Sequence, residues 1–140
     1  MIKLSVLSEI TQEQFTEAAE LWNLTGVGNP ARGDTLEAVQ KTLAHGGRML
    51  LLYDDGLPVG TVWLSHDQRR LYIHHMAVRP ERQHQGLGRR LLKQALAYAS
   101  ELQLQAKLEV HTDNPAALEL YKSEGFQTLE GYLAMIKREI

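Results

Sequence analysis

Alternating and helical spacings of apolar residues divide the first part of the chain into recognisable elements. Residues 2–6 alternate between apolar and polar side chains, which predicts a first strand. Thr11, followed by Gln14 three positions later, predicts a capping box that begins a helix reaching about Trp22. Residues 23–33 are loop by composition, and loops of this length in compact domains are usually functional or disordered.

A second helix and three strands are predicted next. Asp34 or Thr35 caps the helix, which carries apolar residues at helical spacing and ends at Gly46-Gly47. Three β-prone runs follow, at residues 49–53, 59–64 and 71–78. The sequence Asp54-Asp55-Gly56 predicts a hairpin-type turn between the first two, and Gly60 predicts a bulge.

The last third of the chain predicts two helices and three short strands. A helix begins near Leu87, and residues 106–110 alternate as a strand. Asn114 with Pro115 predicts the capped start of another helix, and two strands are predicted over residues 126–128 and 133–136. The order β-α-α-β-β-β-α-β-α-β-β predicts an α/β fold (an α+β mixed sheet) forming a single domain over residues 1–140.

Composition and charge narrow the class of protein. At 140 residues, with 44% hydrophobic and 23% charged residues, the chain can bury a core without metal or disulfide staples. A formal net charge of −2 argues against non-specific nucleic-acid binding. We find no signal peptide or membrane-length apolar run, so we expect a cytoplasmic protein with no membrane partner. The absence of cysteine excludes thiolate metal sites and a cysteine acyl-enzyme.

The turn after the third of these strands has the composition of an anion-binding site. The strand at residues 71–78 leads through a short polar loop into a helix, with Gly86 and Gly88 at the junction. Main-chain N–H groups and the positive end of a helix dipole then point at one spot, and glycines let a phosphate approach the main chain. Three arginines add positive charge around the turn: Arg82, Arg89 and Arg90.

Two common phosphate-binding motifs do not match this turn. A dinucleotide fingerprint needs a third glycine where the chain has Leu91, and the P-loop lysine has no counterpart. A nucleotide-phosphate enzyme is therefore disfavoured. The pattern Gln83-x-x-Gly86-x-Gly88 instead resembles the Q/R-x-x-G-x-G/A motif of the GCN5-related N-acetyltransferases, in which the turn holds the pyrophosphate of acetyl-CoA.

A second signature and the element order extend the resemblance over most of the chain. The sequence reads Asn114-x-x-Ala117-x-x-x-Tyr121-x-x-x-Gly125-Phe126, where that family has its asparagine, tyrosine and Gly-Phe. The resemblance implies a GNAT-like fold and an acetyl-CoA-dependent N-acetyltransferase without a metal. Since the chain has no cysteine, we expect direct transfer to a primary amine of a small molecule or peptide. A homodimer stays open.

The resemblance also implies which residues contact acetyl-CoA. They are Met76, Ala77, Val78, Gln83, His84, Gln85, Gly86, Leu87, Gly88, Arg89, Asn114 and Tyr121. His84 stands where the family often has glycine, so backbone strain or an altered phosphate contact is expected there. Asn114 is expected to hold the cofactor, to cap its helix, or to do both.

The catalytic acid and base are predicted from the same resemblance. Tyr121 matches the family's tyrosine near the CoA sulfur and is expected to be the acid; the alternative is a packing role. The strand pattern is similar to that of serotonin-type arylalkylamine N-acetyltransferases, which implies His74 as the base. Period two predicts that His74 shares a face with Met76 while His75 points to the other, so that the pair is a poor metal chelate. His75 and a water chain are the alternatives for the base.

The sequence leaves one other class of function open. A CoA-binding regulatory or interaction module would keep the glycine turn but lack turnover. Having both Tyr121 and His74 favours the enzyme. The acceptor itself is not revealed, because residues 23–34 and the second helix, which we expect to shape its site, match no pattern.

Overall fold

Five strands form one sheet in chain order in the computed structural model, which describes residues 1–140. The strands are β1 (Ile2–Leu7), β2 (Arg48–Asp54), β3 (Leu57–His66), β4 (Arg70–Val78) and β5 (Gln105–Leu108). The helices are α1 (Gln12–Thr25), α2 (Leu36–Ala44), α3 (Leu87–Leu102) and α4 (Pro115–Ser123). Strands β1 to β4 pair antiparallel and β5 joins β4 in parallel, which confirms the mixed α/β fold class.

The chain divides into two compact units, Met1–Leu108 and Glu109–Ile140. The first unit holds the whole sheet and helices α1 to α3, and the second holds α4. The single domain expected over residues 1–140 stays a prediction. No helix in either unit has the length and apolar character needed to cross a membrane.

The predicted helix starts are confirmed. The hydroxyl of Thr11 accepts a hydrogen bond from the Gln14 N–H while the Gln14 side chain accepts one from the Thr11 N–H, so the capping box is complete. Thr35, rather than Asp34, caps α2 through its hydroxyl, which leaves the Asp34 carboxylate available for another partner. Helix α1 runs three residues beyond the expected end and stops at Gly26, whose φ of +75° suits glycine.

Helices cover both faces of the sheet. Met49 and Leu51 of β2 belong to a buried cluster with residues of α1 and α2. On the opposite face, α3 packs against β3, β4 and β5. It lies so close to β3 that a Cβ added at Gly60 would stand 2.9 Å from Leu91 Cδ1. The sheet therefore holds α3 tightly along the side opposite α1.

We expect Leu91→Ala to destabilise the first unit by about 2–5 kcal/mol, because the Leu91 side chain of α3 is fully buried and the substitution leaves a cavity. Urea unfolding followed by tryptophan fluorescence measures this, since Trp22 and Trp63 both lie in that unit. A loss below about 1 kcal/mol would contradict the packing described here.

The two strands expected after α4 are not formed. Residues 126–140 contain no strand, and the Phe126 N–H donates to the carbonyl of Tyr121, so it closes the helix instead of starting a ladder. The apolar side chains of the last predicted strand are exposed, at 88% for Leu133 and 90% for Met135. A short apolar run forms a strand only where a neighbouring strand takes up the main-chain hydrogen bonds.

Candidate active site

The turn between β4 and α3 has the geometry predicted for an anion site. Gly86 caps α3 with φ +82° and no side-chain hydrogen bond. The Arg90 N–H donates to the Gly86 carbonyl, so the N–H groups of Leu87 and Gly88 come before the first intrahelical bond. No atom lies within 4 Å of a Cβ added at Gly86. The helix thus begins with main-chain donors and an open approach, which fits a phosphate.

Residues 83–85 are exposed and lead into this helix start. The Gln83 side chain donates to the Val78 carbonyl at 3.1 Å and so ties the turn to the end of β4. His84 adopts φ +64°, in the left-handed region, which confirms the strain expected where the family often has glycine. Gln83 therefore supports the turn through its side chain, and we name residues 83–88 the glycine turn.

The three arginines of the sequence have different partners. Arg82 binds Asp54 of β2, and this hydrogen bond lowers the pKa of the Asp54 carboxyl below its usual value. Arg89 and Arg90 line a cleft of about 460 Å³ that begins at Gly86. The cleft's other lining residues are Leu4, Lys93 and Gln94. Positive charge therefore surrounds the helix start, although Arg82 is engaged in holding the turn to the sheet.

A β-bulge in β4 overturns the face assignment made from period two. Opposite β3, Trp63 pairs with His74 and Thr61 pairs with Ala77, so β4 carries an extra residue between these pairs. His75 takes φ +51° at this point. The bulge shifts the alternation by one, so Ala77, and not Met76, shares the buried α1-side face with Trp63.

Both histidines consequently lie beside the same tryptophan. The Trp63 ring centroid lies 5.8 Å from the His74 ring and 5.8 Å from the His75 ring. His75 also lies 5.1 Å from Trp22, edge to face. The expectation that His75 points through the opposite face is therefore wrong. Period two assumes a regular strand, and an inserted residue reverses the parity of everything after it.

Each of the two histidines has its own hydrogen-bond partner. His74 Nε2 lies 2.8 Å from Ser65 Oγ of β3. His75 Nε2 lies 2.8 Å from Asp34 Oδ1, and the Asn29 N–H donates to the other oxygen of Asp34 at 2.6 Å. Sequence reasoning missed the role of Asp34, because its partner is 41 residues away and no local pattern reports such a pair.

The end of β4 presents main chain beside the glycine turn. Its parallel pairing with β5 ends at Ile73↔Leu108, while its pairing with β3 continues to Val78. Along residues 74–78, β4 therefore pairs with β3 but not with β5. The resemblance implies that three of these residues contact acetyl-CoA: Met76, Ala77 and Val78. Ala77 is buried, at 2% exposure, so its contribution would come from its main chain.

The second unit carries Asn114 and Tyr121. The Asn114 side chain accepts from the Ala117 N–H at 3.1 Å, which confirms the capping role and leaves its cofactor role a prediction. The Tyr121 ring packs edge to face on Phe126, with centroids 5.8 Å apart. Burial raises the pKa of the Tyr121 phenol above its ordinary value. The phenol is therefore protonated at neutral pH, as an acid must be.

No group of three or more His, Asp or Glu side chains in the structure is arranged to hold a metal ion. The residues of the glycine turn, in contrast, suit the diphosphate of CoA, because the open glycine, the early N–H groups and the flanking arginines are all donors to anions.

A mixed sheet with a glycine turn between β4 and α3 is the arrangement of an acetyltransferase fold. The model of the acetyltransferase (GNAT) family matches residues 7–126, and the chain belongs to that family. A GNAT family acetyltransferase of Streptococcus pneumoniae superposes with a TM-score of 0.76 at 25% identity. The superposition covers 99% of this chain and 100% of that one.

Two curated relatives match shorter segments. An uncharacterized N-acetyltransferase of Methanocaldococcus jannaschii is 35% identical over 95 residues, 60% of this chain and 42% of the relative. The N-alpha-acetyltransferase RimI of Mycobacterium tuberculosis is 49% identical over 55 residues, 39% of this chain and 34% of the relative. The matches therefore span less than half the length of these relatives.

Proposed function

We propose that this acetyltransferase moves an acetyl group from acetyl-CoA directly to a primary amine of a small molecule or peptide. The observation that carries the proposal is the glycine turn, which offers open main-chain donors at the start of α3 beside Arg89 and Arg90. The family and the N-acetyltransferase names of the relatives support an amine acceptor. We also propose that the protein acts in the cytoplasm, and a homodimer stays open.

Acetyl-CoA, when bound, supplies the acetyl group as a thioester. In our proposal its diphosphate lies on the N–H groups of the glycine turn, and its pantetheine arm lies along β4, where the pairing with β5 has ended. Main-chain N–H groups among residues 76–78 donate to the thioester oxygen as negative charge develops there. We also propose that Asn114, besides capping α4, contacts the cofactor, as the resemblance implies.

The acceptor amine must lose a proton, since a lysine-like amine has a pKa of about 10.4 and is mostly cationic at neutral pH. We propose His74 as the base, on the resemblance of its strand to that of the arylalkylamine enzymes. When His74 Nε2 donates to Ser65 Oγ, the lone pair of the ring lies on Nδ1, and that nitrogen takes the proton. Tyr121 returns a proton to the departing sulfur.

A titrating base predicts a specific pH dependence. The rate should rise with pH along a limb set by the ionisation of His74, because only the neutral ring accepts a proton. In His74→Gln this limb should vanish and leave the slower rise set by neutral amine. The measurement is kcat/KM against pH for each folded variant.

His75→Asn is the matched control for this experiment. It removes the neighbouring imidazole, which lies against the same Trp63 ring, and asparagine tolerates a positive φ. The limb should persist in this variant. If it disappears from His75→Asn and stays in His74→Gln, the base is His75 and our assignment is wrong.

The acceptor can be narrowed with an amine array. Parent protein and acetyl-CoA are incubated with arylalkylamines, polyamines, aminoglycosides and peptides with a free N-terminus, and acetylated products are identified by mass spectrometry. The proposal expects one class of primary amine to dominate. Acetylation of hydroxyl acceptors alone would contradict it.

A further inference from the structure

The conformation of His75 needs an explanation beyond strand formation. Its φ of +51° lies in the left-handed region, within a strand whose other residues are extended. Backbone conformations of this kind cost about 1–3 kcal/mol and persist only where the surroundings impose them. The same residue lies in the β4 bulge, where His75 and Met76 stand between the residues that pair with Trp63 and Thr61. Something must therefore hold His75 in place.

Contacts from three elements hold its ring. Asp34 accepts a hydrogen bond from His75 Nε2 at 2.8 Å, and the two side chains are only 14% and 24% exposed, respectively. Trp22 of α1 and Trp63 of β3 pack on the ring. Asp34 is itself fixed by the Asn29 N–H. Because the carboxylate accepts from Nε2, it also fixes the tautomer of the neutral ring, with the lone pair on Nδ1.

We propose that Asp34 and His75 form a positioning pair that holds the β4 bulge in the register needed for acetyl transfer. The proposal rests on the proposed function, in which residues 76–78 present their main chain to the thioester. His75 lies immediately before that segment, and Asp34 ends the loop expected to shape the acceptor site. The pair thus ties the acceptor loop to the strand that binds the thioester.

Loss of the Asp34–His75 hydrogen bond should affect the alignment of the main-chain N–H groups after His75 more than the affinity for CoA. Without the Asp34 carboxylate, the only hydrogen bond described for the His75 ring is lost and the strained backbone can relax. A relaxed bulge rotates the N–H groups that follow it, and misplacement by about 1 Å can reduce a rate by about 10²-fold. The glycine turn, which binds the diphosphate, is not part of the pair. Turnover should therefore fall while CoA binding persists.

Three substitutions separate positioning from proton transfer. Asp34→Ala removes the acceptor, and His75→Val places a β-branched residue at a positive φ; each should lower kcat by about 10- to 10²-fold with CoA affinity unchanged. His75→Gln places an amide N–H at about the position of the ring Nε2, so it can still donate to Asp34, and glutamine already adopts a positive φ at Gln68 and Gln103. It should keep kcat within about 3-fold of the parent and keep the pH limb assigned to His74. Glu101→Ala, which removes an exposed carboxylate at the C-terminal end of α3, is the control.

A second measurement does not depend on activity. Amide hydrogen exchange, without any ligand, should be faster in Asp34→Ala than in the parent for residues 74–78 and 26–34, with no change in Glu101→Ala. Parent-like exchange and kcat in Asp34→Ala would overturn the pair. So would a folded His75→Gln as slow as His75→Val, because that variant keeps the donor to Asp34 and its slowness would assign ring chemistry to His75. If the parent transfers no acetyl group, the proposed function fails, and the exchange experiment still tests the pair.

Discussion

A folded Gly88→Val protein should bind CoA at least about 10²-fold more weakly than the parent. The substitution puts a branched side chain in the first turn of α3, where the diphosphate approaches the main chain. Hydrogen bonds to charged groups contribute about 1.5–3 kcal/mol each, so the loss of two is enough for this effect. Gly88 is preferable to Gly86 for the test, because Gly86 has φ +82° and a valine there would strain the fold itself.

Isothermal titration with CoA measures the change, and circular dichroism with thermal unfolding checks the fold. Ala97→Val is the matched control, since it places the same residue at an exposed position of the same helix. It should leave CoA affinity unchanged, even though exchanging Ala for Val costs more helix propensity than exchanging Gly for Val. Normal CoA binding by the Gly88 variant would remove the glycine turn from the binding site.

Replacing Tyr121 with phenylalanine should lower kcat by about 10²–10⁴-fold, the usual contribution of a general acid, while CoA affinity survives. The aromatic ring and its contact with Phe126 are kept, so the substitution removes only the hydroxyl. Rapid-quench kinetics must first show that the chemical step limits turnover. An unchanged kcat under that condition would assign Tyr121 to packing.

The pH dependence gives an independent check on the same residue. An acid is useful below its pKa and is lost as pH rises through that value. Burial raises the pKa of Tyr121 above the ordinary tyrosine value of about 10, so the protonated phenol persists throughout the neutral and mildly alkaline range. The parent should therefore show no descending limb below about pH 9. A descending limb near neutrality would require a different acid.

Local signals in the sequence were enough to predict most of the first unit. The capping box at Thr11 and the Asp55-Gly56 turn depend on neighbouring residues only, and the structure contains both. The glycine turn could also be predicted from local sequence, because a strand, two glycines and an apolar helix follow one another directly. Its backbone geometry at Gly86 and His84 agrees with the expectation from the resemblance.

What the sequence could not predict depends on contacts between distant residues. The β4 bulge arises from the register against β3, so counting along the strand assigned His75 to the wrong face. The Asp34–His75 hydrogen bond joins a loop to a strand, and neither side carries a signal for the other. The prediction of two final strands was wrong for a related reason, since short β-prone runs do not identify a pairing partner.

The proposed reaction is tested most directly by release of free CoA. Purified parent protein is incubated with acetyl-CoA and the primary-amine panel, and thiol is followed with a chromogenic disulfide; the protein itself has no cysteine to interfere. We predict thiol release that requires an amine, saturates with it, and yields acetylated amine in equal amount. Tight CoA binding with no amine-dependent release across the panel would contradict the enzyme and indicate a CoA-binding module.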